Sequence, residues 1–119
     1  MKARAVAKYI KGSPQKARLV IDLIRGRKVN EALAMLKTSS KRAAKPIEIT
    51  LRSAIANAEQ KADQLNVAID VDRLKISSAT VDLGPTKFRR RVRPAPMGRA
   101  YRERRWQNHI TIEVESEKE

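Results

Sequence analysis

Arginine carries the most conspicuous chemistry in this chain, and it is concentrated in one stretch. Residues 88 to 106, FRRRVRPAPMGRAYRERRW, hold Arg89, Arg90, Arg91, Arg93, Arg99, Arg102, Arg104 and Arg105 against the single acid Glu103, with Lys87 just ahead of them. A planar guanidinium can fork two phosphate oxygens or stack on a base, so this composition points to a polyphosphate partner. Phe88, Val92, Tyr101 and Trp106 are interleaved with the charges, which suits strand formation and base stacking better than a solvated, disordered loop.

Groupings able to catalyse a reaction are sparse by comparison. His109, the one histidine, stands between Asn108 and Ile110 at a strand entrance, with no nucleophile or orienting carboxylate marked beside it. It reads as a packing or RNA-contacting residue rather than a general base. Asp70 and Asp72 could imitate half a metal site, but no further ligand follows at a recognisable spacing, so a solvated turn is expected there. Four glycines are too few to make a glycine-rich phosphate loop easy to build, and the absence of cysteine removes disulfides, zinc fingers and thiol chemistry. No catalytic residue, cofactor or metal is expected. A metal-dependent nuclease built on His109, Asp70 and Asp72 is the weakest of the readings.

The totals agree with the local chemistry. The chain has 119 residues, a net charge of +14 and a pI near 10.8, a length that fits one domain spanning 1–119. Apolar residues make up 41% and aromatics 3%, so the core must be aliphatic and thin. Self-repulsion at this charge density is relieved by something anionic. A membrane surface would call for a long amphipathic basic helix or an apolar anchor, and no stretch approaches the ~18 apolar residues of a span. The N-terminus, MKARAVAKYIKGS, is basic without the apolar run of a signal peptide, so the protein is expected to stay where it is made.

The elements that position these residues follow from periodicity. Arg4 to Ile10 alternates as a half-buried strand, with Ala5, Ala7 and Tyr9 on one face and Val6 and Ile10 on the other. Ser13-Pro14 is an N-cap hydroxyl followed by a first-turn proline. The helix it opens buries Ala17, Val20, Ile21 and Ile24, shows Lys16, Arg18 and Arg25 on its polar face, and is closed by a left-handed Gly26. A second helix is expected from a cap at Asn30 through Ala32, Leu33 and Leu36 to Thr38. A third carries Ala44, Ile47, Leu51, Ala54, Ile55, Ala58, Ala62 and Leu65 as its stripe, with Pro46 either kinking it or marking its start and the alanines admitting a close neighbour.

From Asp72 the period becomes two: Leu74, Ile76, Ala79, Val81 and Leu83 form a strand with a bulge at Ser77-Ser78, and Ile110, Ile112 and Val114 form another. The tail from Glu113 to Glu119 is expected to fray. Between the two strands lies the arginine-rich stretch. A reversal at Pro94-Ala95-Pro96-Met97-Gly98 makes it a hairpin over residues 82–112. Arms of that length reach about 40 Å at ~3.4 Å per residue, well beyond a body whose radius of gyration is ~12 Å, so the hairpin must project. Basic residues spread over the N-terminus, first helix and hairpin suit a folded RNA surrounding the protein; DNA packaging is the alternative.

The blocks SPQKARLVIDLIRGRKVNEAL, SAIANAE, VDLGPTK, MGRA and HITIEV, in this order, resemble the bacterial type of the twenty-second-protein family of the large ribosomal subunit, from about Ile10 to Val114. The resemblance implies an α+β fold, three helices packed on a small three-stranded antiparallel sheet, with a long protruding β-hairpin. It implies a cytoplasmic, non-enzymatic ribosomal protein that binds 23S rRNA and supports subunit assembly. The body would lie near the opening of the peptide exit tunnel and the hairpin would line its wall.

The implied partners are 23S rRNA, neighbouring large-subunit proteins and the nascent peptide, with no membrane and a monomer within the ribosome. Gly84-Pro85 matches the bend at the hairpin base, Gly98-Arg99-Ala100 the returning arm, and His109-Ile110-Thr111 the re-entry into the sheet. Leu83, Pro94-Ala95-Pro96 and Gln107-Asn108 depart from the usual pattern. Chemistry and resemblance together assign rRNA contact to Lys16, Arg18, Arg25, Lys87, Arg89, Arg90, Arg91, Arg93, Arg99, Arg102, Arg104, Arg105, Trp106 and His109, and the tunnel tip to Pro94, Ala95, Pro96, Met97 and Gly98.

Overall fold

The structure, a computed structural model, describes residues 2–66, 68, 70–84, 90–94, 98, 100–104 and 107–116. Strand β1 (Lys2–Lys11) leads into helices α1 (Pro14–Ile24), α2 (Val29–Thr38) and α3 (Ala44–Gln64), then a 3₁₀ turn at Val71–Arg73 and strand β2 (Leu74–Leu83). Short strands β3 (Arg90–Pro94) and β4 (Ala100–Arg104) follow, and β5 (Gln107–Ser116) closes the fold. The sheet order is β1-β5-β2, all antiparallel, and β3 pairs with β4 in a separate two-stranded ribbon. The class is α+β, as the resemblance implies. The molecule measures 68 × 28 × 16 Å with a radius of gyration of 17.8 Å, where a compact chain of this length would have about 13–14 Å.

The core lies between one face of the sheet and the three helices. Ile110, Ile112 and Val114 of the central strand meet Ala3 and Ala5 on one side and Ile76, Ala79 and Val81 on the other, all buried. Ile21, Ile24, Val29, Ile47 and Leu51 cover them from the helices, so the core is aliphatic among the described residues. Pro14 starts α1 as expected. Ser13 holds the extended N-cap conformation without a hydroxyl cap bond. Pro46 sits in the first turn of α3, where its missing N–H is no loss, and the buried Thr50 hydroxyl donates to the Pro46 carbonyl at 2.8 Å. The bulge falls between Ile76 and Ser78.

A three-stranded sheet exposes two edges, each with a row of unladdered carbonyls. Side chains from the helices bond to carbonyls of both edge strands. On β2, Arg18 donates through Nε and Nη2 to the Val81 carbonyl at 3.2 and 3.0 Å, and Arg25 Nε donates to that of Ala79 at 2.9 Å. Gly26, left-handed at φ +74 as expected, gives its N–H to the Ile76 carbonyl, and Ile76 returns its own N–H to Arg27. On β1, Asn57 Nδ2 reaches the Arg4 carbonyl at 3.0 Å and Lys61 Nζ that of Lys2 at 2.8 Å. Short side chains allow this approach: Ala54 and Ala58 of α3 are buried, as are Ala3 and Ala5 of β1.

Several expectations need correction. Tyr9 does not face inward with Ala5 and Ala7; the β1 ladder slips between Ala7 and Ile10, leaving Tyr9 61% exposed and returning Ile10 to the core. Asn30 is not the cap of α2. The N-cap is Lys28, two residues earlier, Val29 is fully buried as the first helical residue, and Asn30 Nδ2 instead donates to Asp72 Oδ1 at 2.6 Å. Leu65 and Leu83, though in phase with their stripes, lie beyond the core and are exposed. Glu113 to Ser116 are not frayed but belong to β5, where Glu113 pairs with Lys2 at 3.7 Å; residues 117–119 lie outside the described residues.

Ile112 is completely buried on the strand that both edges depend on. Ile112→Ala should therefore lower the unfolding free energy of the free protein by about 2–5 kcal/mol in urea titrations; an unchanged midpoint would contradict this packing.

Candidate nucleic-acid interface

The two strands that flank the sheet's hairpin end continue into the ribbon. The last described rung at the base is the Gly84 N–H donating to the Gln107 carbonyl at 2.8 Å. A Cβ on Gly84 would lie 3.2 Å from that oxygen, so the close approach favours glycine there. Beyond it, Arg90 pairs with Arg104, Arg91 with Glu103, Val92 with Arg102, Arg93 with Tyr101 and Pro94 with Ala100. Pro94, with no N–H to give, is the last paired residue of β3, and Gly98 is left-handed at φ +72.

The register has an electrostatic consequence. Like charges directly opposite each other destabilise a strand pair, and a two-stranded ribbon is marginal in water even without them. Arg90 opposite Arg104 is such a pair, whereas Arg91 stands opposite Glu103, the one acid in the ribbon, so like and opposite charges each occupy one rung. An anion lying along the ribbon would turn that repulsion into attraction.

Of the residues assigned to nucleic acid from sequence, Arg90, Arg91, Arg93, Arg102 and Arg104 thus stand on one ribbon. Lys87, Arg89, Arg99, Arg105 and Trp106, and Ala95, Pro96 and Met97 of the tip, lie outside the described residues. Lys16 is exposed in the first turns of α1, and His109 is half-buried on β5. Arg18 and Arg25 have structural work that the sequence did not signal. Both are pinned to β2 carbonyls, and Arg25 also donates to Asp22 at 2.8 Å. Each guanidinium carries five N–H donors, so neither is exhausted by these bonds.

Charge continues from the ribbon base onto the body. A cavity of about 380 Å³ opens where β1 ends and α1 and α3 begin, lined by Lys11, Gly12, Ser13, Lys16, Arg42 and Asn108 among others. Lys11, Lys16 and Arg42 form no ion pair among the described residues, so their charge is available. Asn108 is buried there, with Nδ2 donating to the Gly12 carbonyl at 3.3 Å and Oδ1 accepting nothing among the described residues. Arg42 and Lys11 escaped sequence reading because neither lies in a dense run of charge. Of the acids singled out from sequence, Asp70 closes a turn by accepting from the Asp72 N–H at 3.0 Å and approaches Arg73, and no group of three or more metal-ligating side chains occurs among the described residues. Among those residues no helix is long and apolar enough to cross a membrane.

Comparison with known proteins gives a consistent result. The profile of the family described as Ribosomal protein L22p/L17e matches residues 5–115. The chain is 52% identical over 119 residues to a protein of Solibacter usitatus called "Large ribosomal subunit protein uL22", covering 100% of this chain and 99% of the relative. Proteins of the same name from Halothermothrix orenii and Pelotomaculum thermopropionicum are 51% and 47% identical with the same coverage.

The two roles of the helix arginines separate experimentally. Arg18→Ala and Arg25→Ala should each destabilise the RNA-free protein by about 1 kcal/mol, because an edge carbonyl loses its donor, whereas Lys16→Ala should leave the urea midpoint unchanged. Equal midpoints for all three would contradict the edge-covering role.

Proposed function

The chain belongs to the ribosomal protein L22p/L17e family, and on that premise we propose that it is a structural, non-catalytic constituent of the large ribosomal subunit, held there by 23S rRNA. The observation that carries this reading is the ribbon. It brings Arg90, Arg91, Arg93, Arg102 and Arg104 onto one pair of strands against the single acid Glu103, an excess of positive charge that phosphate lying along it would neutralise. The three-helix body would dock through Lys11, Lys16, Arg42 and the unused donors of Arg18 and Arg25, and residues 82–112 would reach into folded RNA as one arm of a single 1–119 domain. The 68 Å length of the molecule is consistent with that reach.

In the cytoplasmic ribosome the body would sit near the opening of the peptide exit tunnel, beside neighbouring large-subunit proteins. Pro94 to Gly98 would form part of the tunnel wall that the nascent peptide passes. The protein acts as a monomer within that assembly. By joining RNA segments that are distant in sequence, a body and an arm of this kind support assembly of the subunit.

Phosphate contact has a quantitative signature. Replacing Arg90, Arg91 and Arg93 together with glutamine should reduce the slope of log affinity against log salt for 23S rRNA by about two to three, since each neutralised phosphate contributes roughly 0.7–0.9. An unchanged slope would remove those arginines from the phosphate interface. Comparable affinity for random duplex DNA would overturn the ribosomal reading as a whole.

A further inference from the structure

Tyr9 stands in a conformation that its residue type does not favour. Its φ is +59, in the left-handed region that glycine and asparagine occupy readily and a bulky aromatic residue rarely does. The cause is the bulge in β1: Ala7 pairs with Ile110 and Ile10 with Asn108, so Lys8 and Tyr9 together face the single residue His109. The freed Tyr9 N–H donates to His109 Nδ1 at 3.1 Å, and the two rings meet edge to face with centroids 5.2 Å apart. Nδ1 being the acceptor, the neutral imidazole carries its proton on Nε2. A strained backbone is thus held so that a tyrosine, 61% exposed, stands out from the surface at the end of the sheet from which the ribbon springs.

We infer that Tyr9 and His109 form a stacking platform for an unpaired RNA base, with His109 Nε2–H available to a phosphate, 2′-hydroxyl or base acceptor. The inference rests on the RNA-binding reading and adds to it a mode of contact that phosphate pairing does not supply. An RNA base fits better than an apolar protein side chain because the exposed cations Lys8 and Lys11 flank Tyr9 along β1, outnumbering the one acid, Asp82, opposite His109 on β2, and Asn108, next to His109, lines the cavity with Lys11, Lys16 and Arg42. Stacking on an aromatic ring beside cations is the usual means of holding a splayed base.

The test uses the full chain and deproteinised 23S rRNA, with affinity measured across a salt series. Tyr9→Phe should bind as the parent does. Tyr9→Leu, which keeps apolar bulk but has no π face, and Tyr9→Gly should each weaken binding by about tenfold, within the range of one lost base stack. Their salt slopes should stay unchanged because no phosphate contact is removed. Tyr9→Gly relieves the left-handed backbone but gives up the His109 ring contact, so affinities are compared at a temperature where thermal melts show every variant folded, which separates lost stacking from lost folding. Parental affinity for Tyr9→Leu, or a weakening accompanied by a shallower slope, would overturn the platform while leaving the RNA reading intact. A parent protein with no preference for rRNA over duplex DNA would overturn both.

Discussion

The antiparallel ladder through Ile110, Ile112 and Val114 is the constraint on which the rest of the structure depends. It pairs with β1 on one side and β2 on the other, and so brings the first and last strands of the chain into one core. With β5 in the middle, the sheet has one face and two edges left to cover. The helices divide that work. Their apolar stripes close the face, Arg18, Arg25 and Gly26 bond to β2, and Asn57 and Lys61 bond to β1. In a chain with few aromatics the core gains little from any single side chain, so these directional bonds to edge carbonyls fix helix placement where bulk cannot.

The same ladder determines where charge is displayed. β2 and β5 are neighbours, so the chain leaving Leu83 and returning at Gln107 starts the arm as an already paired base. The body thus supplies alignment, and the ribbon supplies five arginines against one acid. Neither alone explains a net charge of +14; together they describe a folded anchor with a cation-rich arm, which suits the proposed contact with an RNA backbone. The ribosomal family assignment fits this division of labour, because a protein inside an RNA assembly need not stabilise every strand from within.

Much of the body was legible in the sequence because its signals are local. Pro14 and Pro46 mark first turns, Gly26 takes the left-handed position after α1, and the shift of period at Ser77-Ser78 marks a bulge. What escaped depends on contacts remote along the chain. No residue type near Tyr9 announces a left-handed bulge, since its cause is His109, a hundred positions away. Arg18 and Arg25 looked like a free basic face because only the folded sheet shows which carbonyls they meet. Asn30 resembles a cap, but burial of Val29 places the helix start before it. Charge and strand propensity made Arg90 to Pro94 and Ala100 to Arg104 readable as paired strands, whereas the rungs that set Arg90 opposite Arg104 and Arg91 opposite Glu103 are visible only in the fold.

On the proposed function the body folds by its own packing while the ribbon is stabilised by RNA. Amide hydrogen exchange, read residue by residue in the free chain and in its complex with 23S rRNA, tests it most directly. The account predicts strong protection at Ile110 to Val114 in both states, and at Arg91 to Arg93 and Tyr101 to Glu103 little protection in the free chain and strong protection in the complex. Ribbon amides protected in the free chain as firmly as those of β5, or left unprotected in the complex, would contradict it.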